Sequence, residues 1–158
     1  FKNTVNTGMA LGILIVAFMN LIRKPINGLI KFKRAFCFRK NTILQLINGR
    51  NIKMCDLKIG DILSNGSKVI GVMTISNENK EYFYKIKNKI SKKYIYVTGS
   101  HYIFNKNLNK YIMVKDCPNA IISNKKENEF SCILTDNHEI EIGGYTFWDY
   151  DDDLLINK

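Results

Sequence analysis

Three short stretches of this chain hold residue types that do covalent chemistry. Cys37-Phe38 follows directly on a basic segment, VTGSHYI (97–103) sets Thr98 three residues before His101, and FSCILTDNHEI (130–140) carries Cys132, Asp136 and His138. A thiol becomes a strong nucleophile once deprotonated, and an imidazole can move a proton near neutral pH. Each residue also has an ordinary structural role. A cysteine ahead of a strand packs as a small hydrophobe. A histidine at a strand end satisfies a local hydrogen bond, and Asn137-His138 makes a turn.

The elements that would position these residues are short strands. TILQLI (42–47) runs into Asn48-Gly49, and DILS (61–64) into Asn65-Gly66. Such pairs mark hairpin turns because both residues tolerate positive φ. Further β-branched and aromatic runs at 67–75, 80–87, 93–98, 101–104, 110–114, 130–134 and 138–143 read as strands. Segments 105–110 and 123–129 read as polar loops. Nothing after Cys37 has a long helical period, so the expected class is all-β.

The first 36 residues differ. GMALGILIVAFMNLI (8–22) is apolar but for Asn20, and shorter than the roughly 20 residues a spanning helix requires. Pro25 stops or kinks a helix there. Segment 1–36 carries Lys2, Arg23, Lys24, Lys31, Lys33 and Arg34 and no acid. A basic segment beside an apolar run suits an anionic membrane surface. The expected division is therefore an apolar and basic N-terminal segment, 1–36, helical and membrane-associated through 8–34, and a β domain, 37–158. The tail YTFWDYDDD (145–153) would suit a basic partner, but is expected to be a solvated terminus with Tyr145, Phe147 and Trp148 packed on the domain.

The order of the β-region features is similar to that of the Hint domains of hedgehog proteins and inteins. CFRKNTILQLINGRNIKMCDLKIGDIL (37–63) resembles the opening block of that family, with Cys37, Thr42, Gly49, Leu57, Gly60 and Asp61 at its marked positions. Thr98-Gly99-Ser100-His101 resembles its Thr-x-x-His block, and Ser131-Cys132 its late Ser-Cys strand. The likeness covers residues 37 to about 143. It implies a Hint-like horseshoe of short antiparallel strands and hairpins, and self-cleavage with the chain's own N-terminal segment as substrate.

In that reaction Cys37 attacks the Phe36 carbonyl, an N-to-S acyl shift that makes a thioester. His101 protonates the departing nitrogen, and Thr98 holds the scissile amide. The resemblance also places Cys132 where it exchanges with the thioester or pairs with Cys37. His138 is a second candidate base and Asp136 a third. The chain departs from both families at the second step. Asn157-Lys158 supplies no splicing acceptor, and Thr74 falls where hedgehog domains carry the acid that activates a sterol. Hydrolysis or transfer to another nucleophile remains, the alternative being a catalytically silent, membrane-tethered binding module.

Other classes fit less well. Cys37, His101, Cys132 and His138 have zinc-donor chemistry, but the four cysteines show no CxxC spacing. No metal or cofactor is expected. The net charge of +10 falls on no nucleic-acid-binding motif, so no nucleic-acid partner is expected. A chain of this length does not need disulfides, and most thiols are expected to be reduced, in a reducing compartment.

Overall fold

The computed structural model describes residues 36–150. The apolar run 8–22 and the expected membrane segment 8–34 lie outside those residues. Among the described residues no helix is long and apolar enough to cross a membrane.

The described chain is built from eleven short strands. They are β1 (Ile43–Gln45), β2 (Asn51–Lys53), β3 (Val69–Ser76), β4 (Phe83–Lys87), β5 (Tyr94–Thr98), β6 (Tyr102–Asn105), β7 (Lys110–Met113), β8 (Ala120–Ile122), β9 (Glu129–Thr135), β10 (Glu139–Ile142) and β11 (Tyr145–Trp148). Single 3-10 turns at Met54–Asp56 and Val114–Asp116 link them. Every strand pair is antiparallel.

Gly49 turns β1 into β2 at φ +86°, with its N–H donating to the Leu46 carbonyl. Gly66 closes the second Asn-Gly turn in the same way at φ +91°, donating to Leu63. Residues 61–64 do not become a strand, however. They make only the isolated bridges Leu46–Leu63 and Ile62–Lys68. β2, β8 and β11 are strands that the pattern did not announce. The first two are three residues long, too short to show an alternation of period two.

One residue joins two sheets beside Cys37. Phe38 bridges Val97 of β5 and Ser131 of β9, exchanging both hydrogen bonds with Ser131 at 2.9 Å. The β3–β9 pair and the β5-β4-β8 sheet therefore meet along the backbone of Phe38. β9, flanked on both sides, is buried from Phe130 through Thr135, as expected of a central strand. Besides the β1-β2 hairpin there is a four-stranded sheet, in order β10-β11-β6-β7, which packs Ile103, Ile140, Ile142 and Phe147 against Phe38, Val97 and Ile133 in one core. A second cluster gathers Phe36, Cys37, Met73, Phe83, Tyr102, Phe130 and Cys132.

Candidate functional site

Cys37 is completely buried where β5, β6 and β9 converge. Its N–H, which is the nitrogen of the Phe36–Cys37 peptide bond, donates to Thr98 Oγ1 at 3.3 Å. The Thr98 hydroxyl also lies 3.3 Å from the Cys37 carbonyl, and the Thr98 N–H donates to that carbonyl at 3.0 Å. Thr98 closes β5 and His101 directly precedes β6. The turn between them is tied by the His101 N–H on the Thr98 carbonyl. At Gly99 a Cβ would stand 2.6 Å from the Tyr84 ring, so a larger residue would have to displace that ring.

His101 is buried against both neighbours of Cys37. Its ring centroid lies 4.6 Å from that of Phe38 and 6.0 Å from that of Phe36. Nε2 is 2.6 Å from the Trp148 carbonyl. A carbonyl only accepts, so Nε2 carries the hydrogen and the neutral ring presents its lone pair at Nδ1. Nδ1 is buried. Burial lowers the His101 pKa to about 4, while hydrogen bonding to the backbones of Trp148 and Cys37 acts in the opposite direction. The ring is therefore neutral near pH 7 and able to accept a proton.

The Cys37 sulfur is bonded to Cys132 of β9. Strand pairing sets this contact, since Phe38 and Ser131 face each other and their neighbours Cys37 and Cys132 have Cα atoms 4.7 Å apart. Cys55 and Cys117 are free. The expectation that most thiols are reduced thus fails at the two cysteines of the site, because antiparallel register brings them within bonding distance. The bond spans 95 residues, and closing so long a loop contributes up to about 4–5 kcal/mol by the chain-entropy account.

The remaining candidates have other surroundings. His138 sits in the turn between β9 and β10 at φ +63°. Its Nδ1 is 3.3 Å from both carboxylate oxygens of Asp149, and its ring stacks on Trp148 at 5.1 Å. Asp136 accepts the Lys68 N–H at 2.9 Å and donates its own N–H to the Lys68 carbonyl, bracing the ends of β3 and β9. Thr74 is exposed on β3, opposite Ser131. Among the described residues no group of three His, Cys, Asp or Glu side chains is placed to hold a metal.

Trp148, Asp149 and Tyr150, read from the sequence as tail residues, are neighbours of the site. The expectation of a solvated terminus fails at Asp149, which is fully buried and accepts the Thr135 N–H at 2.8 Å. Tyr150 donates its N–H to Ile133 and sets its ring 6.2 Å from Phe36. A signal was available in EIEIGGYTFW (139–148), where an alternating strand runs through Gly143-Gly144 into a second strand.

No protein-family model matches the sequence, and no curated protein does. Solved structures do. A DnaB intein from Synechocystis sp. PCC 6803 is 12% identical at a TM-score of 0.58, with 73% of this chain covering 99% of that one. The gp41-1 intein is 13% identical at a TM-score of 0.56, with 72% of this chain covering 98% of it. The MchDnaB-1 intein is 14% identical at a TM-score of 0.52, with 71% covering 99%. At such identities the likeness speaks for the fold, and nearly the whole length of each intein is matched. The described β domain therefore has the Hint/intein-type fold.

Proposed function

We propose that this chain is an autoprocessing Hint domain that cleaves its own Phe36–Cys37 bond once the Cys37–Cys132 disulfide is reduced. The observation that carries this reading is the convergence on one peptide bond. Its nitrogen is held by Thr98 Oγ1, its flanking aromatic rings contact His101, and that ring is buried, neutral near pH 7 and set against the Cys37 backbone.

The steps follow from those groups. A dithiol reductant takes up the disulfide bond, becomes oxidised, and leaves thiols at Cys37 and Cys132. Neutral His101 accepts the Cys37 thiol proton at Nδ1, because its lowered pKa keeps the lone pair available at neutral pH. The thiolate attacks the Phe36 carbonyl carbon. An S–C bond forms, the C–N bond breaks, and the proton on His101 passes to the leaving Cys37 nitrogen. Thr98 keeps that nitrogen in place. An amide is more stable than a thioester, so water or another nucleophile must then take the acyl group and free the Cys37 thiol. With water the products are 1–36, ending in a carboxylate, and 37–158.

Intact-mass measurement tests the proposal. The oxidised chain should remain whole. Adding a dithiol should release the mass of 37–158, faster with hydroxylamine, while Cys37→Ala stays whole in either condition. Reduced, folded wild-type chain that stays uncleaved with both reagents would overturn the proposal.

A further inference from the structure

The end of the domain remote from Cys37 combines aliphatic turn tips with lysines. Residues 88–93 join β4 to β5 and put Ile90 at the tip, 81% exposed, with Lys89, Lys92 and Lys93 exposed around it. Residues 106–109 join β6 to β7 and put Leu108 at the tip, 57% exposed, between exposed Lys106 and Lys110. Both tips are held by an asparagine side chain. Asn88 Oδ1 accepts the N–H groups of Ile90 and Ser91, and Asn105 Oδ1 accepts that of Leu108.

Strand register puts both turns at one end of the molecule. Lys89 donates its N–H to Gly143 and lays its ammonium over the Tyr145 ring at 4.3 Å, so the first turn adjoins Gly143-Gly144. The pairing of Phe147 with Ile103 runs β6 antiparallel to β11. Its Asn105 end, and the second turn, therefore lie beside that same Gly-Gly turn. Thr98 and His101 are at the opposite ends of β5 and β6, roughly 15 Å away along a five-residue strand.

The charge is lopsided here. From residue 82 to residue 115 the sequence has no acid, and of the two acids on the adjoining β10 it is Glu141 that lies toward the Gly143-Gly144 turn, Glu139 pairing with Trp148 at the other end.

We infer that this end docks the β domain on an anionic lipid surface, with Ile90 and Leu108 entering the interfacial layer and the surrounding lysines meeting acidic headgroups. An aliphatic tip ringed by ammonium groups matches a bilayer, apolar just beneath a layer of negative charge. A nucleic acid would supply the charge, but it favours aromatic rings for stacking, whereas the residues at the two tips are aliphatic and the exposed ring beside them, Tyr94, lies on β5 with Lys85 over it. The inference does not depend on cleavage. Because the docking end is remote from Phe36, a domain that had lost residues 1–36 would keep this surface.

Vesicle binding by the full chain tests it, with phosphatidylcholine alone compared with phosphatidylcholine mixed with phosphatidylserine. Lys92→Gln, Lys93→Gln, Lys106→Gln and Lys110→Gln should each weaken binding to the acidic vesicles about fivefold, leaving the neutral ones unchanged. Ile90→Asp with Leu108→Asp should weaken it further at an unchanged melting temperature. An Ile90→Trp variant reports the turn itself, whatever the N-terminal segment does. Fluorescence from the introduced indole should be quenched by acyl-brominated lipid well beyond the parent signal from Trp148. Absent quenching would overturn the inference. So would Asp substitutions that leave vesicle binding intact while the Gln substitutions abolish binding to single-stranded oligonucleotides, the behaviour of a general polyanion site.

Discussion

His101 and His138 both touch Trp148, one through its carbonyl and the other through its indole ring, yet their surroundings are opposite. His101 is fully buried among aromatic rings and backbone groups. The side chain of His138 is about one-third exposed and faces the carboxylate of Asp149. The buried ring gains little from becoming charged, since carbonyl dipoles do not offset the loss of water. The other ring, partly exposed, lies against a carboxylate. In the proposed cleavage the proton would be moved by the first imidazole, while the second ties the β9–β10 turn to the end of β11.

His101→Gln should break this comparison most forcefully. If His101 carries the proton, reductive cleavage falls by about a hundred- to ten-thousand-fold, read as the initial rate of appearance of 37–158. Acidity gives a graded version of the same test. The folded pKa of about 4 lies below the usual 6.5 of the unfolded chain. Between those values the unfolded state binds more protons, so stability declines as pH falls from 6.5 to 4 and levels off below. The shift corresponds to about 3 kcal/mol. Urea unfolding across that range should show the decline, and His101→Gln should lose the part of it that His101 supplies. Cleavage should stay near its plateau at pH 6 and drop toward pH 4.

Asp149→Asn sharpens the contrast from the other side. The amide oxygen can still accept the Thr135 N–H, but the charge facing His138 is gone. A loss of about 1–2 kcal/mol in urea unfolding is expected, the difference between charge-assisted and neutral hydrogen bonds. The cleavage rate should change far less than in His101→Gln, because Asp149 adjoins the site through its neighbours in sequence, Trp148 and Tyr150. A loss of cleavage as large as that of His101→Gln would make the His138–Asp149 pair part of the reaction.

What was legible in the sequence depended on side chains that announce their own role. Asn48-Gly49 and Asn65-Gly66 announced turns because a left-handed residue must be supplied somewhere. Glu139–Ile142 announced a strand by alternating glutamate with isoleucine, and the positions do alternate between exposed and buried. Cys37, Thr98 and His101 were visible because thiol, hydroxyl and imidazole are chemically distinctive, and the fold does bring them together. The Trp148 carbonyl was not visible, since every residue carries one and only pairing with β6 and β10 decides which imidazole it meets. Asp149 was hidden in an acidic run that looked solvated, although the Thr135 N–H draws it inside. The Cys37–Cys132 pairing rests on the bridge of Phe38 to Ser131, a contact between residues 93 positions apart, and local pattern holds no information at that range.

The smallest effect separates two contributions at His138. Its φ of +63° is costly for a residue with a Cβ, by roughly 1–2 kcal/mol. Its stacking on Trp148 at an interplanar angle of 17° returns about 0.5–1.5 kcal/mol. His138→Gln keeps the strain and loses the stack. His138→Gly loses the stack and the strain together, so it should be about 1 kcal/mol more stable than the glutamine variant and within about 1 kcal/mol of wild type. Both variants should cleave within a few-fold of wild type when reduced. Equal stability of the two would mean that the turn is held by something other than the conformation of this residue. A large loss of cleavage in both, with folding intact, would move His138 from brace to participant and end the distinction between the two imidazoles.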